Sequence, residues 1–131
     1  MSLGYNLLTE KGAALLASSI GRGAIRVQSI NLRGNRLGSE GAVALLEGMM
    51  KADCPTELLD LSDNQICGLT ADGDGKYTME AVGCACRWLR KPGNPLRSLK
   101  LGQNQLCGVN WKGHGEYTSA AVEALCEALA S

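Results

Sequence analysis

The chain has 131 residues, with 13 basic and 13 acidic side chains and a formal net charge of zero, and this length is typical of one domain with one core. Nucleic-acid binding is disfavoured, because affinity for phosphates needs an excess of basic surface. The sequence contains no apolar run near the ~20 residues that a membrane-spanning helix needs and no secretory signal at its start, so we expect an intracellular protein without membrane insertion.

Four asparagines organise the chain into repeats. Each has an apolar residue three and five positions before it and another two positions after it, and they are Asn6, Asn35, Asn64 and Asn104. The first two steps between them are 29 residues and the third is 40 residues. The apolar–x–apolar stretch before each asparagine predicts a short strand, in which alternate side chains point to the same side.

A helix is predicted after each asparagine. Apolar residues recur there at three- and four-residue spacing, and a Ser or Thr opens each segment, as expected of an N-cap residue. In chain order, the predicted helices are Thr9–Ile20, Ser39–Met50, Thr78–Leu89 and Thr118–Leu129.

The pattern resembles the leucine-rich repeat, whose signature is L-x-x-L-x-L-x-x-N-x-L. Residues 96–106 match it at every fixed position, residues 27–37 match with Val and Ile variants, and residues 56–66 depart by Thr56 at the first position. The first copy lacks that position, because the chain starts inside it. The 29-residue step with a full helix resembles the ribonuclease-inhibitor class.

This resemblance implies an α/β leucine-rich-repeat solenoid, a short right-handed horseshoe arc with a parallel β-sheet on the concave side and helices on the convex side. It also implies one domain over residues 1–131, made of four repeats at about 1–26, 27–55, 56–95 and 96–131, in an intracellular eukaryotic protein. We assign the four asparagines a structural role, because their amides can satisfy backbone groups that the turns leave unpaired.

Repeats 3 and 4 each carry ten extra residues between strand and helix, and we call these segments insert 1 (Gly68–Tyr77) and insert 2 (Gly108–Tyr117). Their shared glycines predict tight turns with positive φ, and Tyr77 and Tyr117 are expected to fold back as anchors. The inserts form either self-packed hairpins or a partner-binding rim, and the two are compatible. The predicted partner-binding loop residues are Asp72, Asp74, Trp111 and His114; packing against a tyrosine is the alternative for Trp111.

Residues 70–80 resemble a calcium-binding EF-hand loop, but Thr70 stands at the first acidic position and Glu80 comes one residue early. Insert 2 has Asn110, Lys112 and His114 at the matching positions, and this set does not suit calcium. A Gly-x-Gly phosphate loop is also disfavoured, because the Walker lysine–serine pair is missing. We therefore predict no metal site and no cofactor.

Six cysteines occupy mostly equivalent positions. Cys67 matches Cys107 behind the strand turn, and Cys86 matches Cys126 on the predicted inward helix face; we expect buried, reduced thiols. A disulfide between Cys67 and Cys107 is the alternative. No Cys or His spacing suits zinc, His114 is expected to be an exposed bystander, and no catalytic constellation is visible, so an enzyme is not predicted.

The outward-pointing strand and turn residues form the second predicted partner-binding surface, which we call the strand face: Asn31, Arg33, Arg36, Asp60, Ser62, Asp63, Lys100 and Gln103. Its basic and acidic rows either neutralise one another or present a charge pattern to a protein partner. The face covers roughly 250 Å², well below the ~800 Å² of a standard interface per partner. We therefore expect the inserts and edges to take part, or a longer repeat array.

Neither end resembles a polar capping repeat, so we expect a fragment, a capping partner or a subunit that docks into an assembly. The predicted function is a protein-interaction module or scaffold subunit. The alternatives are a regulator of an enzyme, such as a GTPase activator or an inhibitor-like protein, and a calcium- or redox-responsive element.

Overall fold

The structure is a computed structural model that describes residues 1–110 and 112–130. Within these ranges, four helices alternate with three short strands. In chain order they are α1 (Thr9–Gly21), β1 (Ser29–Asn31), α2 (Gly38–Ala52), β2 (Leu58–Asp60), α3 (Glu80–Arg90), β3 (Ser98–Lys100) and α4 (Ala120–Ala130).

The three strands form one parallel sheet in the order β1–β2–β3. Ile30, Leu59 and Leu99 lie in register, which is the alignment that the asparagine spacing predicts despite the longer third step. Repeat 1 extends the sheet by a single parallel bridge between Ser2 and Asn31. The parallel sheet and the alternating helices therefore fit the predicted α/β leucine-rich-repeat-like fold, with one strand position in each repeat.

The helix starts differ from the sequence prediction. Thr9 and Ser39 do not cap α1 and α2: leucines stand at the N-cap positions, without a side-chain cap. The N–H groups of Thr9 and Gly38 instead donate to the carbonyl oxygens of Asn35 and Asn64, each at 2.9 Å. The next repeat thus supplies the acceptors that a capping side chain would have offered.

The helices α3 and α4 begin two residues later than predicted, because a polar turn precedes each of them. The hydroxyls of Thr78 and Thr118 accept hydrogen bonds from the N–H groups two residues on, at 3.3 Å and 3.2 Å. These threonines therefore close the end of each insert rather than the first turn of each helix.

The core lies between the sheet and the helices. The inward strand residues Ile30, Leu32, Leu59 and Leu61 are buried together with apolar residues from α1, α2 and α3, and each such leucine contributes roughly 1.5–3 kcal/mol by its burial. A close helix contact lies at Gly48 of α2, where an added Cβ would be 2.7 Å from the carbonyl oxygen of Ala17 in α1. Within the described residues, no helix has both the length and the apolar character needed to cross a membrane.

Candidate functional site

The four asparagines form a ladder along one end of the strands. The backbone N–H groups of Asn6, Asn35 and Asn64 each donate to the side-chain Oδ1 of the next asparagine along the chain, at 2.9 Å in all three cases. The same Oδ1 atoms also accept the N–H two residues further on, as from Ile66 to Asn104 at 3.2 Å. Each asparagine oxygen therefore joins two neighbouring repeats.

The side-chain nitrogens of the ladder complete the same joint. Asn64 Nδ2 donates to the carbonyl oxygens of Leu32 in repeat 2 and Ser62 in its own repeat, at 2.8 Å and 3.0 Å. Asn35 and Asn64 are fully buried, and Asn104 is almost so. Asn6 is exposed, and its Nδ2 bonds stay within its own turn. The asparagines therefore have a structural role. The side-chain polar atoms of Asn35, Asn64 and Asn104 are all hydrogen-bonded to backbone, so none is left for a ligand.

The residues on both sides of every asparagine have left-handed backbone. The non-glycine members of this set, with φ between 51° and 59°, are Tyr5, Leu7, Arg36, Asp63, Gln65, Gln103 and Gln105. This conformation is unfavourable for residues with a side chain, by roughly 1–2 kcal/mol each, and the ladder holds it in place. Three of these residues, Arg36, Asp63 and Gln103, belong to the predicted strand face.

Asn31, Asp60 and Lys100 form a row across the strand face, since they are paired in register on three neighbouring strands. The first two also shape the backbone: Asn31 Oδ1 accepts the N–H of Arg33 at 3.0 Å, and Asp60 Oδ1 accepts the N–H of Ser62 at 2.9 Å. Lys100 is exposed at the end of the row. Local hydrogen bonds therefore engage the amide of Asn31 and the carboxylate of Asp60.

Leu58 adds an apolar residue to the strand face that the sequence reasoning missed. It stands in register between Ser29 and Ser98, and 46% of its surface is exposed. A shallow depression of about 150 Å³ is lined by Leu58, Asp60 and Lys100 among others. The signal was available in the sequence, because Leu58 precedes the inward Leu59 and strand alternation turns it outward.

The side chain of Arg33 crosses the strand face. Its Nε donates to the hydroxyl of Tyr5 in repeat 1 at 2.8 Å, and its Nη2 donates to Gln103 Oε1 in repeat 4 at 2.7 Å. Both acceptors are neutral. The one ion pair that the structure gives for the described residues joins Lys91 to Asp53 elsewhere in the molecule, so the charged rows of the strand face do not neutralise one another by direct contact.

Both inserts fold as small hairpins of the same design. Leu69 pairs with Gly75 in insert 1, and Val109 pairs with Gly115 in insert 2. In each hairpin the first and last glycines lie very close to backbone on the opposite side of the hairpin. An added Cβ on Gly75, for example, would collide with the carbonyl oxygen of Gly68. These glycines have positive φ in both inserts. The glycines that the inserts share at these positions are explained by this self-packing.

The tip of each hairpin is closed by one polar side chain. Thr70 Oγ1 accepts the N–H of Asp74 at 3.1 Å, and Asn110 Oδ1 accepts that of His114 at 2.9 Å. The Thr70 hydroxyl, at the first position of the calcium-loop pattern, is thus hydrogen-bonded to backbone. The sequence reasoning considered Asn110 only in that resemblance and missed its structural role, for which it is almost fully buried.

The predicted loop residues Asp72, Asp74 and His114 are exposed, whereas Trp111 lies outside the described residues. The two hairpins lie side by side, since a Cβ on Gly73 would be 3.6 Å from Asn110 Nδ2. Equivalent positions of the two inserts differ in charge. Asp72 corresponds to Lys112, Asp74 to His114, and Lys76 to Glu116. The inserts thus offer both signs of charge in one exposed surface.

The two tyrosines have different environments. The Tyr77 hydroxyl donates to the carbonyl oxygen of Leu106 in repeat 4 at 2.7 Å, as an anchor should, and burial, with neighbouring Cys67 and Cys107, raises its pKa to about 12. Tyr117 is 70% exposed, so the anchor prediction is wrong there. The reason is that the acceptor lies in the following repeat, and the described chain places no repeat beside Tyr117.

A family comparison agrees with the ladder and the strand register. The Leucine Rich repeat family model matches residues 27–46, which contain β1, Asn35 and the first half of α2. The match supports a leucine-rich repeat protein. No curated protein matches the chain.

The six cysteines of this repeat protein are free thiols. Cys84 and Cys86 are buried, and burial raises the pKa of both; burial also raises the pKa of Cys67 to about 11. Cys126 is exposed, so its predicted inward position is wrong: α4 covers Cys86, but no described element covers Cys126. Across the residues that the structure describes, no three His, Cys, Asp or Glu side chains come close enough to hold a metal ion.

Proposed function

We propose that this chain is a non-catalytic protein-interaction module that acts as a scaffold or assembly subunit inside the cell. Its four repeats, of the ribonuclease-inhibitor-like class, form a short right-handed arc with the strand face on the concave side and the helices on the convex side. The partner binds the strand face and the neighbouring inserts together.

The observation that carries the proposal is the chemistry of the strand face. It is a sheet surface, with backbone hydrogen-bonded by the asparagine ladder, that presents charged side chains and one exposed leucine. Arg33 and Lys100 have no described carboxylate within ion-pair distance. Leu58 is half exposed and lines the same shallow depression as Lys100. Charged rows around an apolar residue are typical of a specific protein interface.

The inserts supply the area that the strand face lacks. The face alone offers roughly 250 Å², about a third of what one partner buries in a standard interface. The two hairpins add a second rigid surface, since each is closed by its own backbone hydrogen bonds. We therefore expect partner contacts on Asp72, Asp74 and His114 as well as on the strand face.

Affinity capture with three matched variants tests the proposal. The strand-face variant is Leu58→Asp with Lys100→Glu, and the insert variant is Asp72→Lys with Asp74→Lys. The control is Glu47→Lys with Lys51→Glu on the exposed side of α2. Partners are captured from extracts of the native cell by quantitative mass spectrometry, and the affinity of the purified partner is then measured.

We expect one partner that the wild type and the control retain equally, with affinity at least about tenfold weaker for the strand-face and insert variants. A partner that binds all four proteins alike would contradict the proposed surface. If the purified chain were to accelerate GTP hydrolysis by a GTPase without depending on either surface, the regulator alternative would replace the scaffold.

A further inference from the structure

The guanidinium group of Arg33 is positioned but not neutralised. Two of its N–H groups are used by Tyr5 and Gln103, both neutral acceptors, and a guanidinium carries five such donors. Among the described residues no carboxylate lies within ion-pair distance of it. The group is therefore held in place with donors left over, which is the arrangement that suits a carboxylate from outside.

Lys100 places a second cation on the strand face, in the repeat that also supplies Gln103 as an acceptor for Arg33. Its side chain is exposed on β3, and Gln103, which receives the Arg33 side chain, follows it three residues later in the same repeat. The neighbouring Asp60 carboxylate is not within ion-pair distance of it, and Asp60 Oδ1 accepts the Ser62 N–H at 2.9 Å. Two cations without a carboxylate partner in the described chain thus stand above repeat 4.

The balance of charge on the strand face is also basic. Arg33, Arg36 and Lys100 are opposed by Asp60 and Asp63, which leaves one positive charge in excess. Leu58 lies at the other end of the shallow depression that Lys100 lines. The strand face therefore combines an exposed aliphatic side chain, Leu58, with positively charged side chains a few residues further along the strands.

From this arrangement we infer that the strand face binds an extended acidic segment of the partner protein. A carboxylate of the segment docks on Arg33 and Lys100, and an aliphatic side chain of the same segment packs on Leu58. An extended chain rises ~3.3 Å per residue, so the two anchors stand about two to four residues apart. This inference rests on the proposed function and adds the chemistry of the partner.

A random peptide library displayed on phage and selected on the purified full chain tests the inference. We expect enriched sequences with Asp or Glu about two to four positions from Leu, Ile, Val or Met. The affinity of one such synthetic peptide is then measured against four variants: Arg33→Gln, Lys100→Gln, Leu58→Ala and the control Lys51→Gln on α2. Arg33→Lys is added as a variant that keeps the charge.

The peptide affinity should fall about tenfold for Arg33→Gln and Lys100→Gln, and by a similar factor for Leu58→Ala. Arg33→Lys should restore part of the loss, Lys51→Gln should leave the affinity unchanged, and added salt should weaken binding to the wild type more than to Arg33→Gln. Thermal unfolding of every variant controls for folding. Basic or uncharged enriched peptides, an empty selection, or affinity independent of Arg33 would overturn the inference. The proposed function is tested separately, by the affinity capture of a partner protein.

Discussion

At the scale of single residues, the buried asparagines join neighbouring repeats by several hydrogen bonds each. The side chain of Asn64 makes four hydrogen bonds: it donates to the carbonyl oxygens of Leu32 and Ser62, and it accepts from the N–H groups of Asn35 and Leu37. These partners are backbone groups in the interior of the stack, so each is left without its hydrogen bond to Asn64 if the amide is removed. An unmatched buried backbone group costs roughly 1–3 kcal/mol.

We therefore expect Asn64→Ala to lower the free energy of unfolding by at least about 3 kcal/mol. Asn6→Ala is the matched control, because Asn6 is exposed and its Nδ2 serves only its own turn; it should cost less than about 1 kcal/mol. Urea denaturation followed by circular dichroism gives both values. Equal losses at the two positions would mean that the ladder does not couple the repeats.

At the scale of helices, glycine decides how closely α1 and α2 pack. At Gly48 a Cβ would lie 2.7 Å from the Ala17 carbonyl oxygen and 3.2 Å from its Cα, both backbone atoms that cannot swing away. At Gly83 of α3 a Cβ would meet nothing within 4 Å. The two helical glycines therefore have opposite effects on stability, although both stand in the middle of a helical pattern in the sequence.

Gly48→Ala should lower the free energy of unfolding by about 1–3 kcal/mol, because the helices must separate to admit the methyl group. Gly83→Ala should instead raise it by up to about 1 kcal/mol, because alanine favours the helix and meets no obstacle. Thermal and urea unfolding of both variants measure the difference. A stabilising Gly48→Ala would show that α1 and α2 are not in close contact there.

The ends of α2 and α3 are joined by one ion pair. Lys91 Nζ lies 2.5 Å from Asp53 Oδ1 and also donates to the Met50 carbonyl oxygen at the end of α2. The hydrogen bond and charge of Lys91 lower the pKa of Asp53 below its ordinary value of 3.8. A carboxyl group with a lowered folded-state pKa stabilises the fold above its unfolded pKa, and this contribution is lost as pH falls through the folded value.

Asp53→Asn should therefore be less stable than the wild type at neutral pH, with the difference shrinking to nothing as pH falls below the folded-state pKa of Asp53. Melting temperatures measured from neutral pH down into the acid range, at low and high salt, check this. High salt should reduce the difference, because the carboxylate is exposed. A difference that persists unchanged in acid would point to packing rather than charge.

At the scale of the whole molecule, burial is uneven along the stack. Helix α2 packs between α1 and α3 and buries Leu45, Leu46 and Met49. Helix α4 packs against α3 alone among the described elements, and its buried residues are the small Ala121 and Ala128. Leu129 of α4 is 72% exposed. Local opening should therefore need more energy at α2 than at α4.

Native-state hydrogen exchange of this chain should show slower exchange of the α2 amides than of the α4 amides. The physical reason is that opening α2 breaks contacts with two helices and the sheet, whereas opening α4 breaks contacts with one helix and the edge of the core. Equal protection in the two helices would mean that the repeats unfold as one cooperative unit.

Much of the fold and part of the candidate site follow from the sequence alone. The strand register, the asparagine positions and the two matched inserts are visible because the same residues recur at fixed steps, and each repeat uses them in the same local geometry. The outward position of Leu58 also follows from strand alternation. These features recur in equivalent positions of each repeat, so a periodic pattern in the sequence reveals them.

Only the tertiary structure decided how equivalent residues differ. Tyr77 is anchored and Tyr117 exposed, and Cys86 is covered and Cys126 open, because each contact is made by the next repeat, 29 or more residues away. The capping of α1 and α2 by backbone carbonyls and the reach of Arg33 across the strand face have the same origin. The sequence by itself determined what each repeat contains, whereas stacking determined which of its atoms are buried, paired or available to a partner.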